Sequence, residues 1–215
     1  KYSNAGNLNF TYNGRTQQPT FWQLQPVWNN NDPLNIQLGN PNLKPAFYHS
    51  FDLQLHEYKA VTGRAIRLGG LFTTASNDFN TYSQVDNQGR RAYQTINVNG
   101  NYSYRAWFTY GRNLNLLNLN VSIQPQIYGD RYNNFINGLR NTTKVFSFTP
   151  YLWISGYFNK KLDIQTSYNV EFRHTVSSVN PEISTNYKLF GIFVHVDYAP
   201  GNGWNRGRFP RIRDR

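Results

Sequence analysis

Apolar and polar residues alternate one for one along most of this chain. In the run KLDIQTSYNVEFRHTV, Leu162, Ile164, Tyr168, Val170, Phe172 and Val176 fall on one face, and Asp163, Gln165, Ser167, Asn169, Glu171 and Arg173 on the other. A period of two predicts a β-strand with one apolar and one polar face, and this run exceeds the usual strand length of about five or six residues. The same rhythm sets Leu117, Leu119, Val121, Ile123 and Ile127 against Asn118, Asn120, Ser122, Gln124 and Gln126. Phe190, Ile192, Val194, Val196 and Tyr198 alternate with Gly191, Phe193, His195 and Asp197. Ile96, Val98, Tyr102, Tyr104, Phe108 and Tyr110 form one further row, and Phe51, Leu53 and Leu55 another. Residues 65–76 and 144–158 are strand-like but less regular. With a short first strand at Leu8 to Tyr12, the pattern predicts about eight strands.

The connections alternate in length. Gly14 to Ala46 is wide, Ala60 to Gly63 short, Val85 to Arg91 wide and Gly111 to Asn115 tight. Phe135 to Thr143 is again wide, Asn159 to Lys161 minimal, Ser177 to Ser184 moderate and Pro200 to Gly203 short. In an up-and-down meander successive turns lie at opposite ends, so the rhythm puts the wide connections at one end, as in outer-membrane barrels. Hydrocarbon offers backbone amides no partner, so strands cross it only as closed barrels. The expected fold is therefore all-β, an antiparallel up-and-down transmembrane β-barrel. A short first strand and an arginine-dense, proline-bearing end make poor closing staves, so residues 1–204 read as a partial barrel and 205–215 as a basic tail outside its regular strands. Trp107, Tyr110, Trp153, Tyr157 and Trp204 are candidates for an aromatic girdle at headgroup depth.

Composition narrows the picture. The chain has 215 residues with neither cysteine nor methionine, so it has no thiol chemistry and reads as a processed product or an internal piece. No apolar run is long enough for a spanning helix. Aromatic residues reach 17% while charged residues are only 15%, below the roughly 25% of soluble domains. Much of the formal net charge of +11 sits in NRGRFPRIRDR, Asn205 to Arg215. The basic balance is thus mainly a property of the tail, and no nucleic-acid partner is expected.

Catalytic signatures are missing from the sequence. His49, His56, His174 and His195 stand alone with no metal-binding spacing, although His174 and His195 fall on neighbouring predicted strands. There is no nucleophile elbow, phosphate loop or dinucleotide fingerprint. Asp52, Asp163, Glu171 and Asp197 share the polar face without a spacing that pairs them for hydrolysis. No enzyme activity, cofactor or metal is expected. The best ligand-facing candidates are in the first wide connection: Phe21, Trp22, Gln23, Gln25, Trp28 and Asn30. Their rings and amides suit sugar stacking, and equally suit packing of loops over a barrel mouth.

The stretch Tyr12 to Phe47 contains GNPNLKP, Gly39 to Pro45, just before the alternation of the second strand. It resembles the NPxLKPE signature of the Bacteroidetes outer-membrane β-barrel family related to TonB-dependent receptors, with Ala46 in place of the usual glutamate. NGRTQQP, DPLNIQLGNP, the VTGR turn, NVNGNYS and NGLRNTT are similar to the same family. The resemblance implies a C-terminal piece of a barrel of about 22 strands with a plug domain. It implies uptake of a bulky glycan, peptide or metal chelate across the outer membrane of a Gram-negative bacterium. Implied partners are membrane lipid, the rest of the barrel, the plug, the TonB system through regions outside this chain, and companion proteins. Asn40, Pro41, Asn42, Leu43, Lys44 and Pro45 read as a structural corner, because the two prolines fix φ and bias the preceding residues toward extended backbone. Two alternatives stay open: a structural or assembly barrel without transport, and a soluble all-β glycan-binding module.

Overall fold

The computed structural model describes residues 6–29, 32, 34–159, 161–182 and 184–199; Trp204 and the basic tail lie outside them. Alternation becomes strand almost everywhere. The strands are β1 (Gly6–Gln17), β2 (Trp28–Asn29), β3 (Asn35–Leu38), β4 (Ala46–Lys59), β5 (Arg64–Ser76), β6 (Asp78–Val85) and β7 (Arg91–Val98). They continue with β8 (Asn101–Leu114), β9 (Leu119–Ile123), β10 (Gln126–Ile136), β11 (Leu139–Thr149), β12 (Tyr151–Phe158), β13 (Leu162–Ser177) and β14 (Thr185–Tyr198). One short helix, α1 (Phe21–Leu24), lies in the first connection. All the strands join one sheet.

Register shows that several of these are segments of longer strands. β9 and β10 pair with β8 in one continuous register, from Leu114↔Leu119 to Tyr102↔Arg131. They pair with β12 and β11 in another, from Gly156↔Leu119 to Ile136↔Leu139. The interruptions are Pro125 and Pro150, which that register sets opposite each other. A proline ring removes one N–H and leaves the carbonyl. The Phe108 N–H still donates to the Pro125 oxygen at 3.1 Å, and the Val170 N–H to the Pro150 oxygen at 3.3 Å. Each rung loses one bond and the register survives.

β5–β6 and β7–β8 likewise form one long hairpin in a single register, kinked where Asn77 and Gly100 take φ of 54° and 85°. The molecule is thus a meander of eight long antiparallel staves in chain order: β1, β4, β5, β8, β9–β10, β11–β12, β13 and β14. Among the described residues β1 pairs only with β4, and β14 only with β13, so the sheet is open at both edges.

The eight-stave reading holds, with corrections. The first stave has 12 residues rather than a short stub. The run Ile96 to Tyr110 is not one strand; it bends at Asn99–Gly100, and β6 and β7 extend the hairpin to a tip at residues 86–90. Gly111 to Leu114 is still strand, and the turn follows at Asn115–Asn118. Phe135 to Thr143 is not a wide loop. Asn137 and Gly138, both at positive φ (50° and 80°), make a two-residue turn suited to the twist of the flanking strands, and β10 and β11 use the remaining residues as strand. At the other end the short turns share one device: Gly63, Asn118 and Asn159 each sit in the left-handed region.

Pairing aligns the alternating rows across all eight staves. One row runs Leu8, Leu55, Leu68, Phe108, Pro125, Pro150, Val170, Phe190; another runs Phe10, Leu53, Gly70, Ala106, Ile127, Phe148, Phe172, Lys188. On the interior staves this apolar face carries exposed side chains, Leu68 at 46% accessible, Phe72 at 41%, Ile123 at 47% and Phe146 at 45%, although Val170 is buried. The polar face varies in cover from stave to stave: Gln54 and His56 on β4 and Arg105 on β8 are exposed. On β11, Asn141, Thr143, Val145 and Ser147 are buried while Lys144, Phe146 and Phe148 are exposed. A water-soluble sheet turns its apolar face to a core, and β11 does the reverse.

Parity corrects the girdle assignment. Trp107, Trp153 and Tyr157 share the polar face; of the described candidates only Tyr110 lies on the apolar one. Trp153 stacks on Phe193 at 6.3 Å, and Phe193 on His195 at 6.4 Å. Trp107 lies across Gly69, where a Cβ would come within 2.0 Å of the indole. Gly69→Ala is therefore expected to displace Trp107 and cost about 1–3 kcal/mol. A lowered urea midpoint with altered tryptophan emission checks this; unchanged emission would contradict the packing.

Candidate functional site: the polar face and its asparagine-rich rim

The polar parity builds a wall of long polar side chains. Arg105, Tyr128, Ser147, Arg173 and Tyr187 occupy one register row, and Trp107, Gln126, Thr149, Glu171 and Leu189 the next. Arg105, Gln126, Tyr128, Ser147, Glu171 and Arg173 line an open hollow of about 440 Å³. Arg173 Nη1 donates to the Tyr187 hydroxyl at 3.1 Å, with the guanidinium 5.8 Å from that ring's centre. A wall of guanidinium, carboxylate, amide and phenol groups can hold water and polar solutes through many exchangeable hydrogen bonds.

At the end carrying the β6–β7 hairpin, asparagines of both parities tie the staves together, Asn101 and Asn141 from the polar one and Asn133 from the other. Asn133 is fully buried; its Nδ2 donates to Asn101 Oδ1 (2.9 Å) and to the Asn99 carbonyl (3.1 Å), and its Oδ1 accepts from Thr142 Oγ1 (2.7 Å). Asn101 donates to Asp78 at 2.7 Å, and Asp78 accepts the Tyr48 hydroxyl at 2.6 Å. Asn141 Oδ1 accepts from Ser177 Oγ at 2.7 Å and from the Val179 N–H at 3.2 Å, fixing the connection after β13. Asparagine suits such a rim because its amide donates and accepts like a peptide group.

The corner before β4 is held by the same chemistry. Asn40 Nδ2 donates to the Thr95 carbonyl at 2.9 Å, and the Asn40 N–H to the Gln23 carbonyl at 2.6 Å. The Asn42 N–H donates to Asn40 Oδ1 at 3.1 Å. Asn97 clamps Lys44 from both sides, accepting its N–H at 2.8 Å and donating to its carbonyl at 2.9 Å. Leu43 and Ala46 are buried, Pro41 and Pro45 exposed. Asn40 and Lys44 thus anchor the first connection to β7, which also receives β3 as a parallel neighbour.

The other sequence candidates lie in the first connection. Phe21 and Trp22 lie on α1, 68% and 74% accessible, with their rings edge to face at 5.6 Å. Gln23 is engaged in a capping box with Thr20, accepting the Thr20 N–H at 2.8 Å. Gln25 backs onto Gly39. Trp28 is in β2, and Asn30 lies outside the described residues. His174 and His195 are not a pair: His174 faces Asn186 on the apolar parity, while His195 sits opposite Gln165 on the polar one. No group of three His, Asp or Glu side chains converges among the described residues. The sequence reading missed that Asp163 and Asp197 stand directly opposite each other on the polar face, a fact set by register alone. In the loops, the Asn35 amide and the Leu34 N–H hold the Asp32 carboxyl below its usual pKa, and Arg90 does the same for Asp86 at the hairpin tip.

An antiparallel meander with one apolar face, exposed on its interior staves, and one polar face is the kind of sheet from which β-barrel membrane proteins are built. The chain belongs to the outer membrane protein beta-barrel family, whose model matches residues 1–189. No curated protein and no solved structure matches it.

Proposed function

We propose that this chain is an arc of the wall of a larger outer-membrane barrel of the TonB-dependent receptor type, lining a route for a bulky nutrient such as a glycan, peptide or metal chelate. The observation that carries the reading is the exposed apolar belt, continuous over eight staves, and its slant. On β4 the belt is centred near Phe51, whose row ends at Asn186 on β14; there the belt, Phe190 to Val196, is centred about seven residues further on, after six strand-to-strand steps. A level belt drifting about 1.2 residues per strand, at about 3.3 Å per residue and about 4.8 Å between strands, requires a tilt of about 39°. Barrel staves in membranes tilt by about 35–45°. On β13 the belt runs Ile164 to Phe172, about 27 Å along the strand and about 21 Å in height at that tilt, against an apolar band of about 25 Å. The two open edges support a larger barrel, since unpaired edges are not tolerated in hydrocarbon.

Deletion of the gene tests transport. Growth is measured with glycans, peptides or metal chelates, each as the limiting nutrient. Loss on one of them, restored by the intact gene, is the expected result. Unimpaired growth on all, with an envelope sensitised to detergent, favours the structural barrel instead.

A further inference from the structure

Three charges on the polar face share one hollow without pairing. Arg105 on β8 and Arg173 on β13 stand in the same register row, with Tyr128 and Ser147 between them. Glu171 lies two residues before Arg173 on the same strand and the same face. All three line the open hollow of about 440 Å³, together with Gln126, Tyr128 and Thr149. Its size falls within the roughly 300–1,000 Å³ of small-ligand sites. Among the described residues the ion pairs are Lys59–Glu57, Arg64–Glu57 and Arg90–Asp86, and none of them includes Arg105, Arg173 or Glu171. A guanidinium carries five N–H donors, and Arg173 directs one of them to the Tyr187 hydroxyl. Asp130, two residues from Tyr128, lines a separate hollow.

The signs decide what can enter. A simple anion meets Glu171, a simple cation meets two guanidiniums, and a neutral solute leaves all three charges without a counterion. A ligand carrying both a carboxylate and an ammonium answers each of them. Ser147 is small and buried, which leaves space for a carboxylate between the two arginines, and a guanidinium grips a carboxylate through two parallel N–H bonds. Glu171 and Arg173 are two residues apart, about 6.6 Å along the strand. An extended peptide covers about 3.3–3.6 Å per residue, so two residues set its terminal charges about that far apart. Gln126, Tyr128 and Thr149 supply donors and acceptors for the peptide group between them.

We infer that this hollow binds a short peptide by its two ends, the terminal carboxylate on Arg105 and Arg173 and the terminal ammonium on Glu171. The inference rests on the reading above, in which this face lines the route of a nutrient, and it selects peptide among the cargo classes named there.

The test uses the full-length protein purified from outer membranes in mild detergent, and measures by calorimetry the binding of alanyl-alanine, its N-acetyl form and its C-terminal amide. Wild type is expected to bind the unmodified dipeptide about tenfold more tightly than either blocked form, since each block removes one charge-assisted contact. Arg105→Gln should weaken the unmodified dipeptide about tenfold and remove most of its advantage over the amide. Glu171→Gln should remove its advantage over the N-acetyl form and leave that over the amide. Equal binding of the three peptides by wild type, or no binding of any of them at millimolar concentration, would overturn the inference. So would variants that keep both preferences. If either variant does not assemble, the wild-type comparison of the three peptides decides. Failure of the barrel reading looks different: wild type is then recovered without detergent, whatever it binds. Failure of the transport reading shows in the growth assay, as unimpaired use of peptides after deletion, and leaves the binding preferences in place.

Discussion

Ile123→Arg is expected to abolish most assembly of the protein into outer membranes, while Gln124→Arg, one residue further along, is expected to leave it nearly intact. Ile123 lies in the middle of the belt on β9–β10, between Tyr110 and Leu152 in register, and is 47% accessible. In water such a position tolerates arginine readily, because an exposed residue with no partner to lose is worth within about 0.5 kcal/mol. Facing hydrocarbon, arginine near mid-depth costs about 2–4 kcal/mol. Gln124 points to the polar face, where its Nε2 meets Ser122 Oγ at 3.4 Å, and a guanidinium there stays hydrated. The fraction of chain resistant to heat-induced unfolding in detergent, measured on isolated membranes, reads both variants. Equal assembly of the two would remove the basis for assigning the faces.

The second large effect is expected at Asn133. Asn133→Leu keeps the branched four-atom shape, with bulkier methyl groups, but removes a buried amide that serves three partners: Asn101, the Asn99 carbonyl and Thr142. Asn101 Oδ1 retains the Asn133 backbone N–H at 2.9 Å. The Asn99 carbonyl and the Thr142 hydroxyl lose this partner, and an unsatisfied buried polar group costs about 1–3 kcal/mol. We expect a loss of about 2–4 kcal/mol in urea unfolding in detergent, and faster proteolysis at the 86–90 tip, because Asn99 and Asn101 flank the kink where the β6–β7 hairpin leaves the sheet. Thr142→Val removes one bond and should cost about 1 kcal/mol. A double variant less destabilised than the sum of the two would show that they act through one network. An Asn133→Leu protein with wild-type stability would contradict the role given to the rim.

How far the chain was legible without coordinates depended on whether each feature is local. The two faces were, because strand parity is fixed within a few residues: Leu162 to Val176 announces its own sides. The eight staves followed from the same signal. The Asn-Gly turn at Asn137–Gly138 is also local and carries a known hairpin signature, although the alternation of connection lengths points to a wide connection there. Counting parity from Arg105 would likewise have put Trp107 on the polar face. The kink at Asn77 and Gly100 was hidden for a physical reason. The register continues through it, so Ile96 and Tyr110 keep the same parity on either side of a bend. What lay outside reach was anything set by register between distant segments. The opposition of Asp163 and Asp197, the facing prolines Pro125 and Pro150, and the bonding of Asn101, Asn133 and Asn141 at one end all depend on which rung meets which, whereas parity alone already separated His174 from His195.

The native chain has no cysteine, so single cysteines report their own surroundings. The most direct measurement places them in adjacent pairs on three staves, Gln126 with Ile127, Phe148 with Thr149, and Tyr168 with Asn169, and labels intact outer membranes with a hydrophilic and a lipid-soluble maleimide. The account predicts that cysteines at 127, 148 and 168 react with the lipid-soluble reagent alone, and those at 126, 149 and 169 with the hydrophilic one. Equal reaction of both members of each pair with the hydrophilic reagent would contradict it.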